Sequence, residues 1–403
     1  MNVLYFGTVC DLQNYEKILQ KCKKKSSVAT VVFETSLLSG FKNKNIKIDV
    51  NSFPMIPTFP DSNLLSFGGN YEDLSCGYKC RWLRTVNLPL FKQISRRLDA
   101  RKQIKSWAKE NRGTGIILSY SIPPFLVKDI VSFGKKYKLK TVAIVPDLPK
   151  NMYINYQDDS LKYKLKQLYL NQSLKYQGAF DGYIYLTKYM KDVVAPSKPY
   201  IVMEGIFSFS DFSQEDIVEK SYPKAIMYAG RLHKKYGIIN LLDAFELLDD
   251  DKTQLWIFGD GTAIDEIKNR MKSNPRIKYF GQVSREEILH YEKLATLLVN
   301  PRNPEDTFTK YSFPSKTIEY MYSGTPLLTT DLKGIPEEYR KYIFTADSNN
   351  PSLLSEFIKK ILSLTDEELN AIGERAYRFI YNNKNAVAQS NRVIEFLNAL
   401  SGE

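Results

Sequence analysis

The length of 403 residues is typical of two domains rather than one. A hydrophobic share of 43% and a charged share of 25% exclude a disordered chain, and no run of 18 apolar residues predicts a transmembrane helix. The net charge of +12 is uneven, because residues 1–205 carry +16 and residues 206–403 carry −4. The excess of positive charge in the first half predicts an anionic partner, which could be anionic lipid, a phosphorylated lipid or nucleic acid. The alternative is a solvated lysine-rich surface without a partner.

The first half alternates predicted strands with predicted helices, which indicates a parallel sheet covered on both faces. The strands are predicted at 2–6, 28–33, 115–118, 141–145 and 182–186, and the helices at 96–110 and 161–177. The segment 54–90 is irregular, and loops of this length are usually functional or mobile. Aromatic and basic residues predicted to be exposed there are Tyr71, Tyr78, Lys79, Arg81, Trp82 and Arg84.

The second half repeats the alternation more regularly. Strands are predicted at 225–229, 254–258, 277–280, 296–299 and 326–329, and helices at 237–248, 263–272, 284–294, 314–322 and 366–400. Ser284, followed three residues later by Glu287, predicts a capping box at one helix start. We therefore predict two Rossmann-like α/β domains that are joined near residues 196–222.

The most informative segment, 313–328, contains a turn, a short helix and a strand. Pro314 suits a first helical turn. Ser315 and Lys316 then lie where free N–H groups and the helix dipole favour an anion. Glu319 follows one turn later and is suited to hold the two hydroxyls of a ribose. The segment predicts a sugar-nucleotide site, and its alternative is an ordinary amphipathic helix with a surface glutamate.

This segment resembles the nucleotide-sugar helix of GT-B glycosyltransferases, in particular the retaining GT4-like group (glycosyl transferases group 1) of bacterial capsule and exopolysaccharide synthesis. The resemblance implies two Rossmann-like domains facing across a cleft, with a C-terminal helix that crosses back to the first domain. It implies an acceptor-binding domain at 1–200, a nucleotide-sugar-binding domain at 201–380 and the crossover helix at 381–403.

The family motif Glu-x7-Glu is only half present, because Glu319 matches its second glutamate and Tyr311 stands at the first. The first glutamate usually serves the donor sugar. Residues close by that could replace it are Asn303, Thr307, Lys310 and Ser312.

A basic loop follows the strand that ends at Gly230. Junctions from strand to helix are where α/β folds bind phosphates, and cations there neutralise the charge of a leaving diphosphate. The resemblance assigns this role to Arg231 and Lys235, and His233 could help to hold the diphosphate. The alternative is an exposed basic loop.

The resemblance implies further site residues. It places the turn at Gly259 beside the donor, Gln282 and Val283 at the base, and the backbone at Gly205 near the diphosphate or the sugar. Gly7 would face the cleft from the first domain, and Asp147 contacts the sugar or acceptor unless it only caps a turn; Glu34 is a weaker acceptor candidate. The predicted donor-binding set is Gly7, Gly205, Gly230, His233, Gly259, Gln282, Val283, Phe313, Pro314, Ser315, Lys316 and Glu319, and the predicted catalytic set is Arg231, Lys235 and Asp147.

The sequence offers little material for metal or nucleophile chemistry. Cys76 and Cys80 lack a second pair, and the chain contains neither an HExxH nor an Asp-x-Asp motif. We predict no metal and no cofactor, with basic side chains in place of a divalent ion. Few cysteines and an N-terminus without a basic leader predict a cytoplasmic protein.

These observations, together with the resemblance, predict a metal-independent glycosyltransferase with a nucleotide sugar, most favourably a UDP-sugar, as donor, and the resemblance implies that it retains the anomeric configuration. The leaving diphosphate would assist deprotonation of the acceptor during front-face attack. The basic first half, with its aromatic and basic loop at 71–84, favours a polyprenyl-diphosphate-linked glycan acceptor and a peripheral location on the anionic inner face of the cell membrane, with no nucleic-acid partner. A protein or teichoic-acid acceptor fits the same residues, and a catalytically silent GT-B subunit that stabilises a partner transferase is the rival class.

Overall fold

The computed structural model describes residues 1–24, 28–148, 161–207 and 220–402, with the backbone alone for residues 161–166. The chain divides into two compact units. The first unit comprises Met1–Ile206 together with Ala386–Glu403, and the second comprises Phe207–Asn385. Among the described residues, no helix combines the length and the apolar character needed to cross a bilayer.

Eight strands of the first unit form one sheet in the order β10-β9-β8-β7-β1-β2-β5-β4, and β3 pairs with β6 separately. The strands are β1 (Asn2–Gly7), β2 (Lys47–Ser52), β3 (Ser66–Phe67), β4 (Tyr71–Asp73), β5 (Lys79–Trp82), β6 (Thr85–Val86), β7 (Gly115–Tyr120), β8 (Lys140–Val145), β9 (Gly182–Tyr185) and β10 (Tyr200–Val202). Within the large sheet only β4 and β5 pair antiparallel.

Helices cover this sheet, which explains why its central strands are apolar throughout rather than alternating. Ile116, Ile117 and Leu118 of β7 are all fully buried. The helices are α1 (Leu12–Gln20), α2 (Ala29–Asn43), α3 (Phe91–Glu110), α4 (Val127–Tyr137), α5 (Leu161–Tyr176) and α6 (Met190–Val194).

The predicted strand at 28–33 is wrong, because these residues begin helix α2. A run of five or six apolar residues suits a buried strand and a buried helix equally well. The buried positions continue at Leu37, Leu38 and Phe41, with the spacing of a helix face. Glu34, the residue directly after the predicted strand 28–33, therefore lies inside a helix.

The segment 54–90 is not irregular throughout, since it contains β3 to β6. Tyr78, Arg81 and Trp82, which were predicted to be exposed, are buried. Arg81 makes a bidentate ion pair with Asp99 at 2.7 and 3.1 Å, and the Trp82 indole donates to a carboxylate of β4 at 2.8 Å. These side chains therefore serve the packing of the first unit and do not form a surface.

The second unit contains a six-stranded parallel sheet in the order β13-β12-β11-β14-β15-β16. Its strands are β11 (Ala225–Arg231), β12 (Gln254–Asp260), β13 (Ile277–Gly281), β14 (Leu297–Asn300), β15 (Leu327–Thr330) and β16 (Phe344–Ala346). The five strands predicted here are confirmed within two residues at each end. β16 was not predicted.

The remaining helices are α7 (Ile238–Glu246), α8 (Ile264–Ser273), α9 (Arg285–Leu294), α10 (Lys316–Tyr322), α11 (Pro351–Leu362), α12 (Asp366–Asn383) and α13 (Ala386–Ser401). The predicted capping box of α9 is confirmed, because the Glu287 N–H donates to Ser284 Oγ at 3.2 Å and the Ser284 N–H donates to Glu287 Oε2 at 3.0 Å. The tail predicted to be helical at 366–400 is confirmed as helical, but it consists of two helices, α12 and α13.

Helix α13 packs against α2 in the first unit. Ser390 Oγ donates to the carbonyl oxygen of Leu37 at 3.0 Å. Val393 and Leu397 are fully buried in the same apolar core as Val3 and Tyr5 of β1. The last described helix of the chain therefore completes a core that the first strand begins.

Candidate functional site

The strand order of the second unit has one point at which its direction reverses. From β11 the chain proceeds outward through β12 and β13, and then returns to the other side of β11 through β14, β15 and β16. In open parallel sheets, ligands bind beyond the carboxyl ends of the strands at such a point. The ends of β11 and β14 are therefore where a site is expected.

A cavity of about 250 Å³ lies there, within the second unit. It is bounded by the end of β11, the 3₁₀ turn Lys234–Tyr236, the end of β14 and the start of α10. Its lining residues are Tyr228, Ala229, Gly230, Arg231, Tyr236, Val299, Asn300, Arg302, Pro314, Ser315, Lys316 and Tyr320.

One tyrosine of α10 connects this helix to β11. The buried Tyr320 hydroxyl accepts from the Ala229 N–H at 2.7 Å and donates to the Ala229 carbonyl oxygen at 3.0 Å. The two elements that carry cavity residues are thereby joined through a backbone position. A site built on strand and helix ends held in this way is rigid, as recognition of a charged group requires.

Two guanidinium groups line the cavity. Arg231 is exposed at the last residue of β11. Arg302 follows β14 and is half-buried, with its guanidinium 5.1 Å from the centre of the Tyr236 ring. Burial lowers the pKa of Arg302, but an arginine stays protonated at neutral pH. The cavity is therefore cationic and is suited to a phosphate or diphosphate.

A buried asparagine side chain also lies at this point. Asn300 is 7% exposed, and its Nδ2 makes no hydrogen bond within the part of the chain that the structure describes. An unsatisfied buried donor costs free energy, which a ligand that offers an acceptor oxygen would recover. The amide adds a third polar group, beside the two arginines, for binding an oxygen-rich anion.

Residues 209–379, which include the whole cavity, match the family model described as Glycosyl transferases group 1. This segment is a glycosyl transferases group 1 domain. The domain confirms the predicted enzyme class, a glycosyltransferase. No curated protein matches the chain.

The chain is also similar, over its whole length or nearly so, to solved structures with the same fold. The chain is similar to sucrose-phosphate synthase from Thermosynechococcus elongatus, with 14% identity, a TM-score of 0.64 and full coverage of both chains. It is similar to HepE from Anabaena in complex with UDP, with 12% identity, a TM-score of 0.62 and coverage of 99% of this chain and 100% of that one. It is also similar to α,α-trehalose 6-phosphate synthase from Burkholderia multivorans, with 10% identity, a TM-score of 0.62 and coverage of 100% and 97%. These likenesses confirm the predicted GT-B fold of two Rossmann-like domains.

The cavity of the group 1 domain brings together some of the predicted site residues but not all. Gly7, Gly205 and Asp147 belong to the first unit. The predicted residues that line the cavity are Gly230, Arg231, Pro314, Ser315 and Lys316. Those of the second unit that are not among its lining are His233, Lys235, Gly259, Gln282, Val283, Phe313 and Glu319.

Lys316 and Glu319 contact each other and a third residue, the fully buried Glu292 of α9. Lys316 Nζ lies 3.3 Å from Glu292 Oε1 and makes a close ion pair with Glu319, whose Oε2 is 3.8 Å from Arg285 Nε. Burial, together with the charge of Glu319, raises the pKa of Glu292. Burial opposes ionisation of Glu319 as well, but the Lys316 charge outweighs it and lowers the pKa of Glu319. The ammonium group of this lining residue is thus paired with Glu319 and Glu292.

The other predicted residues of the group 1 domain have structural contacts. His233 Nδ1 lies 3.0 Å from Thr262 Oγ1, which links the loops after β11 and β12. Phe313 is buried against the Tyr339 ring. Gly259 has φ +127°, and a Cβ there would lie 1.8 Å from the Gly230 carbonyl oxygen, so that only glycine fits. Gln282 and Lys235 are exposed, and Val283 is half-buried.

Sequence reasoning missed Asn300, Arg302 and Tyr236. The replacements proposed for the first glutamate of the motif lie further along the chain, and none of Asn303, Thr307, Lys310 and Ser312 is among the cavity residues. The available signal was position, because Asn300 and Arg302 come directly after a predicted strand, at the edge of the sheet where ligands bind.

In the first unit, Gly7 ends β1 and lies against the buried carboxyl group of Glu34. A Cβ at Gly7 would be 1.8 Å from Glu34 Oε2. This carboxyl group accepts from the Tyr5 hydroxyl at 2.7 Å, and from the Thr8 N–H at 2.9 and 3.0 Å. Of the other two predicted residues, Asp147 is exposed beyond β8, and the Gly205 carbonyl accepts from Gln389 Nε2 at 2.7 Å. The buried Glu34 carboxyl group therefore fixes the start of the loop after β1 through hydrogen bonds.

We expect the stability of the first unit to depend on pH through Glu34. Burial raises the pKa of Glu34 from 4.5 to about 7. Between these values the folded chain keeps a proton that the unfolded chain has lost, so the free energy of unfolding falls as the pH rises, by about 3 kcal/mol in total. Urea unfolding at about pH 5 and about pH 8 measures this slope. Glu34→Gln should make the free energy of unfolding depend less on pH, whereas Glu16→Gln, at an exposed position, should not. An equal pH dependence in the unmodified protein and both variants would contradict this role of Glu34.

Proposed function

We propose that this glycosyltransferase is retaining and metal-independent, and that it transfers a sugar from a nucleoside-diphosphate sugar to an acceptor hydroxyl. The observation that carries the proposal is the cationic cavity at the switch point, where Arg231, Arg302 and Asn300 converge, with the Asn300 Nδ2 unpaired among the described residues. A diphosphate offers the oxygen atoms that these groups can bind. UDP-sugars are the first candidate donors, a choice that the UDP complex of the similarly folded HepE supports.

The proposed reaction breaks the bond between the anomeric carbon and the diphosphate oxygen. The acceptor oxygen forms a new bond to the anomeric carbon on the same face, and its proton passes to a leaving-group phosphate oxygen. Negative charge therefore builds on the diphosphate in the transition state, where fixed cations are most effective. Arg231 and Arg302 would supply this stabilisation in place of a metal ion.

We further propose a lipid-linked glycan, carried on polyprenyl diphosphate, as the acceptor in the assembly of a cell-surface polysaccharide such as capsule. The support is the charge of the first half, because residues 1–205 contain 32 Lys and Arg residues but only 16 Asp and Glu residues. Such a surface attracts an anionic membrane. The enzyme would work at the inner face of the cell membrane.

A panel of nucleotides tests the donor. Thermal unfolding of the purified protein is followed with UDP, GDP, ADP and CMP, each with magnesium and with EDTA. Binding to the folded state raises the midpoint, so a shift with one diphosphate that persists in EDTA supports the proposal. Transfer from the matching sugar nucleotide, with NMR of the product anomer, then tests retention. A complete lack of shift would favour the silent-subunit alternative.

A further inference from the structure

Exposed apolar side chains are concentrated in one part of the first unit. Of the eighteen large apolar side chains exposed among the described residues, nine lie between residues 55 and 98. Single exposed apolar residues need no explanation, but a cluster marks an interaction surface. The nine residues are Met55, Phe59, Leu65, Tyr71, Val86, Leu90, Phe91, Ile94 and Leu98.

Hydrogen bonds connect the loop that carries three of these residues to the segment around the start of α3. The Phe59 N–H donates to the Asn87 carbonyl oxygen at 3.0 Å, and the Asn87 N–H donates to the Leu65 carbonyl oxygen at 2.7 Å. Lys92, in the first turn of α3, donates to the Ile56 carbonyl oxygen. The loop around residues 55–65 is therefore fixed to the segment that leads into α3.

A groove of about 470 Å³ opens beside the first half of α3. Phe67 of β3, Val86 of β6 and Leu98 of α3 form apolar parts of its lining. β6 is held to the helix because the Val86 N–H donates to Ser95 Oγ at 2.9 Å. The surface thus includes a partly apolar groove as well as exposed apolar side chains.

The exposed face of α3 changes from apolar to basic along its length. Phe91, Ile94 and Leu98 are 58%, 56% and 65% exposed. Steps of three or four residues continue this row through three exposed lysines, and such steps keep side chains on one face of a helix. We call this row the α3 stripe: Phe91, Ile94, Leu98, Lys102, Lys105 and Lys109. It contains no carboxylate.

An apolar segment followed by a row of lysines on the same face suits contact with an anionic bilayer, where buried apolar area and attraction to anionic lipids both strengthen binding. The apolar side chains enter the boundary of the acyl chains, and the ammonium groups reach the anionic headgroups. A protein partner suits the stripe less well, because protein interfaces are depleted in lysine.

We infer that the α3 stripe, with the exposed loop around residues 55–65, docks the first unit onto an anionic lipid bilayer. The inference rests on the lipid-linked acceptor of the proposed function and names the surface that reaches it. This surface differs from the aromatic and basic residues 71–84 that the sequence indicated, since several of those are buried.

Sedimentation with vesicles of phosphatidylcholine, with and without phosphatidylglycerol, tests the inference on the full chain. Ile94→Ser/Leu98→Ser should lower the partition coefficient at least about tenfold on both vesicle types, since two apolar side chains no longer enter the interface. Its matched control is Leu247→Ser/Leu353→Ser, which removes exposed leucines of the second unit and should change nothing.

A second variant tests the charges independently. Lys102→Gln/Lys105→Gln/Lys109→Gln should lower the partition coefficient on anionic vesicles by about fivefold per lysine, and should leave binding to pure phosphatidylcholine unchanged. The control Lys359→Gln/Lys360→Gln alters exposed lysines of α11 and should bind like the unmodified protein.

The UDP-induced shift of the thermal midpoint, measured without vesicles, separates this inference from the proposed function. A protein that binds UDP but not anionic vesicles, or whose stripe variants bind vesicles normally, overturns the docking surface alone. Stripe variants that lose self-association rather than vesicle binding would also overturn it, in favour of a protein interface. Absence of the UDP shift with intact vesicle binding would instead count against the donor proposal.

Discussion

Arg231→Ala is expected to lower kcat about a hundredfold to a thousandfold, the loss typical of removing one donor that stabilises transition-state charge. Arg231 is the last residue of β11 and lines the cavity at the switch point. Its guanidinium group would meet the charge that develops on the leaving diphosphate. Because that charge is larger in the transition state than in the bound donor, kcat should fall more than KM rises.

Arg302 should behave similarly and should discriminate between arginine and lysine. Its guanidinium group lies over the Tyr236 ring, and a lysine can reproduce neither that planar contact nor a bidentate phosphate contact. We therefore expect Arg302→Lys to recover little of the activity lost in Arg302→Ala. Initial rates with the matching sugar nucleotide measure both variants.

The matched control for both arginines is Arg378→Ala in α12. Its side chain is 71% exposed and pairs with Glu374 on the helix surface. This variant should retain full activity. If Arg231→Ala and Arg302→Ala were as active as the control, the cavity would not be the diphosphate site.

Lys316→Met should destabilise the second unit by about 3–5 kcal/mol, because it leaves the Glu319 carboxylate and the buried Glu292 carboxyl group without their cation. Glu292 is fully buried and its Oε2 already lacks a hydrogen-bond partner among the described residues. Lys316 lies between this group and Glu319. Equilibrium unfolding in urea measures the loss.

A double variant identifies the cause. Lys316→Met/Glu292→Gln removes the cation together with one of its carboxyl partners, so about half of the lost stability or more should return. The exposed control Lys360→Met should change stability by less than about 0.5 kcal/mol. A small loss in Lys316→Met, with the UDP shift abolished, would mean that Lys316 serves the donor directly and not the packing of α10.

Local signals predicted much of the second unit from sequence. The start of α9 is fixed by Ser284 and Glu287, which are three residues apart, so the capping box could be read directly. The prediction for 28–33 was wrong because its apolar side chains suit a strand as well as a helix. The helix α2 forms instead of a strand because of packing within the first unit, where Leu37, Leu38 and Phe41 continue the buried helix face.

The candidate site was predictable in part for the same reason. Arg231 and the start of α10 carry recognisable motifs, and the cavity includes them. Asn300 and Arg302 belong to no recognisable motif. They lie near Arg231 because β14 pairs with β11, although about seventy residues separate the two strands in sequence. The position of Lys316 between two carboxyl groups depends on α9, a separate element whose contact with α10 no short pattern encodes.

The position of α13 has a consequence for synthesis on the ribosome. Val393 and Leu397 enter the core that Val3 and Tyr5 begin, although nearly four hundred residues separate them. While the chain is still being translated, α2 has an apolar face without its final partner. The second unit, whose residues are contiguous in sequence, can fold first, whereas the first can close only once the last helix has emerged. A nascent chain stalled before α13 should therefore expose α2 to chaperones.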